Sequence, residues 1–361
     1  MIRVAIIGAG IGAAHLEGYR ALPDLFDVRV LCDLDEARAR LVAGEGLAIA
    51  TDFSAILADD TLDLIDICLP PHLHFEMSAA ALRAGKHVVC EKPMVRSLAE
   101  ADALADVARA SGRVFSPVFQ YRYGPATAQL DALIAAGLAG KPQVASLETH
   151  WNRGAVYYET PWRGTWAGEA GGAVLGHAIH NHDLLGRHFG PVAHLSAQVA
   201  TRINSIETDD CAAILMQFEN GALATSSVTL GAATDTSRLR LVFETLTATS
   251  GTTPYAPAED IWTFEARAPV DQSRINAVLA AVPEVRSGFA GFFEALAEAI
   301  HGRPGREVTG EDGRRSIELV TAIYDAARTG KRISLPLGTN AALYQGWLPA
   351  QAAKGNKQEQ K

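Results

Sequence analysis

Three short segments of this chain hold residue types suited to binding a diphosphate and moving a proton. The first is Gly8-Ala9-Gly10-Ile11-Gly12-Ala13, a G-x-G-x-x-A pattern that follows an apolar run at 2–7 and opens a helical pattern. Gly8 permits a tight turn, Gly10 lets bare backbone approach a pyrophosphate, and small Ala13 allows close helix packing, while a helix N-terminus favours negative charge. No Gly-Lys-Ser/Thr follows the first strand, so a P-loop does not compete with this reading. Asp33 lies 25 residues after Gly8, at the end of the second apolar run. There a carboxylate accepts the adenosine ribose hydroxyls and repels a 2′-phosphate, which favours NAD over NADP. Asp35 is better placed to cap the next helix, and Arg38 and Arg40 are the residues that would instead meet a 2′-phosphate.

The second segment is Cys90-Glu91-Lys92-Pro93, at the end of another strand-like run. Most loop lysines are solvated surface groups. At the carboxyl edge of a parallel sheet, however, an ammonium beside a nicotinamide ring can orient a substrate hydroxyl and lower its proton affinity. Pro93 keeps Lys92 out of helical backbone. The third segment runs from Gly171-Gly172 to Leu185 and holds His177, His180, His182 and Asp183. At about 100° per residue, His177, His180 and Asp183 share one helix face and His182 points away. His180 is the candidate proton carrier, with His177 and Asp183 as candidate relays. His182 and His188 read as packed or solvent-facing. Divergent histidines without HExxH or Cys/His spacing make a poor zinc site, so no metal is expected.

These segments need elements to position them. Through the first 120 residues short β-branched runs alternate with helical patterns: strands at 2–7, 28–32, 64–69, 87–90 and 113–119, helices at 11–22, 35–42, 73–84 and 98–110. Such alternation predicts βαβ units and a parallel sheet, an α/β domain. Beyond Tyr123 the rhythm changes to a helix ending near Ala136 and strands at 143–151, 194–203, 210–218, 222–230 and 238–244. Glu219-Asn220-Gly221 marks a hairpin, and helices are expected at 287–301 and 310–328. The second domain is therefore α+β on an open, largely antiparallel sheet. Boundaries are placed at 1–122, 123–338 and a C-terminal extension at 339–361, whose last eleven residues, QAAKGNKQEQK, lack large apolar groups and are expected to be disordered.

With 361 residues, 48% hydrophobic and 20% charged, the chain has length and composition for two globular domains. Its 41 acidic against 32 basic residues, net charge −9, disfavour nucleic acid and anionic membranes as partners. Cys32, Cys68, Cys90 and Cys211 are widely spaced and read as reduced core thiols. Without a signal-like N-terminus or a spanning apolar run, a cytoplasmic location is expected.

Taken together the motifs resemble the Gfo/Idh/MocA family, the glucose-fructose oxidoreductase, inositol dehydrogenase and rhizopine-catabolism group. The resemblance covers about residues 2–335. It rests on GAGIGA, Leu69-Pro70-Pro71-His72-Leu73-His74, the segment from Ala84 to Pro93, and Gln120-Tyr121-Arg122-Tyr123. In the second half it adds Pro161-Trp162-Arg163-Gly164, Gly171-Gly172 leading to His180-x-x-Asp183, and Phe218-Glu219-Asn220-Gly221. It implies a Rossmann domain followed by an open-sheet domain that buries one face on a partner subunit, hence a homodimer or homotetramer. It further implies oxidation of a secondary alcohol on a sugar, cyclitol or related polyol by hydride transfer to NAD, or the reverse. Lys92 is then the EKP lysine and His180 the active-site histidine. Implied cofactor contacts are Gly8, Gly10, Ile11, Gly12, Asp33, Leu69, Pro70, His74, Glu91 and Lys92. Implied substrate contacts are Lys92, Tyr121, Arg122, Trp151, Trp162, Arg163, His177 and His180. Inositol dehydrogenase-like members carry an Asp four residues before the histidine, where this chain has Gly176, so its proton relay must differ. Two other functions fit the same motifs: an NAD-dependent glycosidase that oxidises its substrate transiently, and a dinucleotide-binding sensor without turnover.

Overall fold

Apolar runs with no polar alternation form strands covered on both faces, and in the computed structural model, which describes residues 1–349, they build the first sheet. Its strands are β1 (Ile2–Ile7), β2 (Phe26–Cys32), β3 (Ala48–Ala50), β4 (Leu64–Ile67), β5 (His87–Cys90) and β6 (Phe115–Pro117). They lie in the order β3-β2-β1-β4-β5-β6, and every pairing is parallel. The connecting helices are α1 (Gly12–Arg20), α2 (Glu36–Ala43), α3 (Phe53–Ala58), α4 (Pro71–Arg83) and α5 (Leu98–Ser111). Local signals end them as the sequence leads one to expect. Asp35 caps α2 through the Arg38 N–H, Ser97 caps α5 through the Glu100 N–H, and Gly112 closes α5 in the left-handed region. The short β3 and α3 were not foreseen; three residues of Ala-Ile-Ala carry too little pattern to announce a strand.

The second unit begins with α6 (Pro125–Ala135) and β7 (Pro142–Asn152), followed by α7 (Trp166–Glu169), a π-helical turn at Val174–Ala178 and α8 (Ile179–Phe189). Then come β8 (Val192–Ala200), β9 (Cys211–Phe218), β10 (Leu223–Thr229), β11 (Gly231–Phe243), β12 (Leu246–Thr249), β13 (Thr263–Ala266) and α9 (Gln272–Ala281). The chain continues through α10 (Gly288–Ile300), α11 (Gly310–Thr329) and β14 (Ile333–Ser334). Eight strands order as β13-β12-β11-β7-β10-β9-β8-β14, antiparallel except for β7 beside β10. The β9–β10 hairpin turns at Gly221, whose φ is +89°. Burial alternates residue by residue along β9 and β10, so the sheet has one covered and one open face.

The single cut expected at 122 needs correction. One unit comprises residues 1–120 and 289–317; the other comprises 121–288 and 318 onward. The return has a packing cause. Phe293 is fully buried, stacks on Tyr19 at 3.7 Å and meets Phe26 edge-on, and Gly18 leaves space that a methyl would contest at 2.8 Å from Phe289. Burying one phenylalanine is worth roughly 1.5–3 kcal/mol, enough to hold a helix that sequence distance assigns elsewhere. The tail at 351–361 lies outside the described residues. Cys32, Cys68 and Cys90 are buried free thiols and Cys211 is half-buried. No helix among the described residues is long and apolar enough to cross a membrane.

Candidate active site

Because β2, β1, β4 and β5 are parallel neighbours, the segments that follow them all emerge at one edge of the first sheet: Asp33, Gly8, Leu69 and Lys92. Strand order reverses beside β1, the place where open α/β sheets take ligands. Gly8 has φ +104°, and a side chain there would stand 2.4 Å from the Cys68 carbonyl oxygen. Gly12 is the close-packing glycine, since its methyl would meet Ile6 at 2.9 Å; Ala13 had been expected to fill that role. A methyl at Gly10 would meet no atom within 4 Å. Gly10 therefore borders open space at the N-terminal end of α1, with Ile11 46% exposed beside it. Bare backbone, space and a helix N-terminus fit the pyrophosphate of a dinucleotide.

Asp33 is nearly buried and fully engaged. It accepts the Ala9 N–H at 2.7 Å and the Asp35 N–H at 2.9 Å, and Arg38 Nη2 reaches both its oxygens at 2.8 and 2.9 Å. Burial alone would raise its pKa, but the Arg38 guanidinium and the two N–H groups outweigh it and hold the carboxyl below the ordinary carboxylate range. Arg40 is occupied with Glu36 on the exposed side of α2.

Lys92 is half-buried, its N–H donates to Glu91 Oε2 at 2.9 Å, and the Lys92–Pro93 peptide is cis. Two residues expected at the cofactor turn inward instead. His74 is fully buried with its ring nitrogens 2.7 Å from the Leu69 and Pro93 carbonyls, so it fastens the segment after β4 to the segment after β5. Glu91 reaches with its other oxygen to His15 Nε2 at 3.1 Å, and His15 Nδ1 lies 2.8 Å from Asp66. His15, Asp66 and Cys68 are also the one His/Cys/Asp/Glu group among the described residues with metal-ligand spacing, their ligand atoms lying within 4.8 Å of one another. His15 and Asp66 went unremarked in the sequence, yet each breaks a pattern. His15 sits in the buried stripe Gly12, His15, Leu16, Tyr19 of α1, and Asp66 interrupts the apolar run of β4.

In the second unit the His-rich segment starts from Asp209, which accepts the N–H groups of Gly172 and Val174 at 2.9 Å each and the Tyr324 hydroxyl at 2.6 Å. The π-helical turn that follows changes the spacing expected from a uniform helix, placing His177 in the wide turn and His180 in the first turn of α8. Tyr121 stacks on the His180 imidazole at 4.3 Å. His177 meets Trp151 edge-on at 5.2 Å, and the Tyr157 hydroxyl approaches its Nε2 at 3.5 Å. His182 is packed, as expected, but beneath the sheet and not outward, with Nε2 2.9 Å from Ser226 Oγ; burial lowers its pKa to about 4.

Arg122 was expected at substrate and Asp183 in a proton relay. Both are buried, and the guanidinium forks onto the carboxylate at 2.7 and 2.6 Å. The pair ties the residues before α6 to α8. Trp151 is a buried wall whose indole N–H donates to Ser237 Oγ at 3.2 Å. Trp162 and Tyr157 flank Arg163, whose guanidinium lies 4.6 and 4.1 Å from their ring centres. Arg153, Asp235 and Tyr255 complete this group and were not anticipated: Arg153 binds Asp235 at 2.9 Å and lies 5.0 Å from the Trp151 ring centre. Aromatic residues interleaved with arginine at 151–163 were the available signal.

The description "Oxidoreductase family, NAD-binding Rossmann fold" matches residues 2–119, and "GFO/IDH/MocA C-terminal domain" matches residues 127–249. An uncharacterised oxidoreductase of Schizosaccharomyces pombe is 28% identical over 225 residues, 60% of this chain and 60% of that protein. The levoglucosan dehydrogenase of Pseudarthrobacter phenanthrenivorans is 33% identical over 150 residues, 39% of this chain and 38% of that one. The chain thus aligns with about 60% of the length of the first of these relatives, and less of the second. The WlbA dehydrogenase from Bordetella pertussis, solved with NADH and UDP-GlcNAcA, shares the fold with a TM-score of 0.81 and 26% identity, over 93% of this chain and 99% of that chain. Two matched segments that together span most of the sequence, each on the unit whose architecture it describes, show that the chain belongs to the GFO/IDH/MocA family of NAD-binding oxidoreductases.

Proposed function

We propose that this protein is an NAD-dependent dehydrogenase that oxidises a secondary alcohol of a sugar, cyclitol or related polyol, or catalyses the reverse reduction. The observation that carries this reading is the shared sheet edge: the open space at Gly10, the Asp33 carboxylate and Lys92 follow β1, β2 and β5, parallel strands of one sheet. NAD, when bound, supplies the hydride acceptor. Gly8, Gly10, Ile11 and Gly12 receive its diphosphate and Asp33 its adenosine ribose. Leu69 and Pro70, which join β4 to α4, border the cofactor, while His74 and Glu91 support that border from within.

Lys92 holds the reacting oxygen and favours its deprotonation; His180, its ring plane set by Tyr121, takes the proton, with His177 as the next carrier. Acid–base help of this kind contributes typically about 10² to 10⁴-fold, and placement contributes the larger part. Trp151, Tyr157 and Trp162 offer faces suited to the C–H surface of a ring. The arginines among them stand beside carboxylates, Arg153 with Asp235 and Arg163 with Glu169, which favours an uncharged substrate over an acidic one. The open face of the second sheet, with Val144, Leu215 and Leu223 exposed, is assigned to a second copy of the chain.

The test is NADH formation with NAD and a panel of sugars, inositols, sugar acids and glycosides. Turnover with a neutral polyol is expected. Phenol release from an aryl glycoside without net NADH would replace the reading with redox-assisted hydrolysis. Stabilisation by NAD with no turnover on any member would replace it with a sensor.

A further inference from the structure

Among the buried ionisable groups that the mechanism above leaves unused is His15. His15 is completely buried in α1, with Asp66 at 2.8 Å on one ring nitrogen, Glu91 at 3.1 Å on the other and the Cys68 sulfur 3.3 Å from Nδ1. Phe289 and Phe293 close over the ring at 4.5 and 5.6 Å between centroids, and Tyr19 lies one turn along the same helix. Two carboxylates with little water around them repel each other, and a neutral imidazole has one proton to offer where two acceptors face it. An imidazolium satisfies both. Although burial opposes the charged form, Asp66 and Cys68 outweigh it and hold His15 well above the ordinary histidine value.

The cluster does not end at Glu91. One Glu91 oxygen is on His15 and the other accepts the Lys92 N–H at 2.9 Å, so the charge at His15 is two hydrogen bonds from the Lys92 backbone. We propose that His15, held between Asp66 and Glu91, is a positioning residue for Lys92, acting through the Glu91 side chain. The inference rests on the reading of Lys92 as the group that meets the reacting oxygen. Without the imidazolium, Asp66 and Glu91 present unbalanced negative charge beside the backbone that carries the lysine. Its ammonium is then held more tightly to its proton, and Glu91 loses the partner that fixes its orientation.

Lys92 reports this directly, without a known substrate. Its ε-amino group is labelled with acetic anhydride across a pH series and quantified by peptide mass spectrometry, in the wild-type protein, His15→Gln, Glu91→Gln and the double variant, with NAD affinity and melting temperature measured in parallel. In His15→Gln the labelling midpoint of Lys92 is expected to rise, by about threefold or more in apparent acid constant. In the Glu91→Gln background the same His15 change is expected to have no further effect, because the connection has been removed. A midpoint unchanged in His15→Gln, or a shift of equal size with and without Glu91, overturns the proposal. If His15→Gln does not fold, Glu91→Gln carries the test alone: a Lys92 midpoint equal to wild type overturns it, and a moved one supports it. The underlying reading is judged separately in the wild type, where NAD should protect Lys92 from labelling. Absence of protection refutes that placement of Lys92, whatever His15 does.

Discussion

Arg38 lies across the carboxylate of Asp33, within hydrogen-bond distance of both its oxygens, at the position proposed above for an adenosine ribose. Asp33 already accepts two backbone N–H groups, so the ribose hydroxyls compete with Arg38 for the remaining lone pairs. Asp33→Ser should weaken NAD by about 10- to 100-fold, the worth of a charged hydrogen bond, and strengthen NADP by releasing Arg38 toward a 2′-phosphate. Arg38→Ala should leave NAD binding equal or tighter and weaken NADP. Calorimetric titration of both cofactors checks this; an unaltered NAD/NADP ratio in both variants would undo the ribose assignment.

The Arg122–Asp183 pair is buried on both sides, so breaking it leaves one charge without compensation. Asp183→Asn is expected to cost about 3–5 kcal/mol in denaturant unfolding, and Arg122→Met combined with Asp183→Leu to recover most of that loss. A stable, inactive Asp183→Asn would instead restore Asp183 to the proton relay.

Gly172 and Gly176, four residues apart, should respond oppositely to alanine. At Gly172 the methyl would lie 1.8 Å from the Asp209 carbonyl oxygen and 2.6 Å from its backbone nitrogen, neither of which can yield. A loss of about 2–4 kcal/mol is expected, seen as a lower urea midpoint. At Gly176 nothing lies within 4 Å, so alanine should stabilise by about 0.5–1 kcal/mol through its better helical propensity.

Acid should destabilise the second unit in a defined window. Burial depresses His182 and His188 to about 4 in the folded chain, while the unfolded chain titrates near the ordinary value of 6.5. Between those values the unfolded state binds more protons, so stability rises with pH there; it is full above about 6.5 and is lost as pH falls toward 4. Each histidine contributes a slope of about 1.4 kcal/mol per pH unit within the window. His182→Gln should flatten the dependence of the urea midpoint between pH 7 and 5.

A charge on the open sheet face should separate copies of the chain. Leu215 is 54% exposed on β9, so Leu215→Glu is expected to shift the protein to monomers in light scattering with little change in NAD affinity. A wild-type protein that is already monomeric would remove the assignment of that face.

The parallel sheet was readable because short unbroken apolar runs such as Val4-Ala5-Ile6-Ile7 alternate with helical patterns, as strands buried on both sides do, and the glycine pattern gave their carboxyl edge a purpose. The second sheet was readable from alternation and from Asn220-Gly221. What escaped was set by contacts between distant segments. The return of residues 289–317 depends on Phe293 finding Tyr19, and nothing local to either residue reports it. Side-chain partners were equally hidden: Arg122 and Asp183 are both of types used at substrates and in relays, and nothing local to either shows that they fork onto each other. His15 and Asp66 were the reverse case. A histidine in an apolar helix stripe and an aspartate inside a buried strand each require a partner, so noticing both would have predicted the pair.

The wide turn at Val174–Ala178 makes the His-rich segment sensitive to chain length in a way no substitution reproduces. A π turn accommodates one residue more than an α turn. Deleting a single residue between 174 and 178 would let the helix run uniformly, keep His180 and everything after it in register, and rotate the upstream backbone by about 100°. A chain one residue shorter here would thus keep the same histidine at the start of α8 while presenting different upstream neighbours to it, a change of surroundings that leaves the imidazole itself in place.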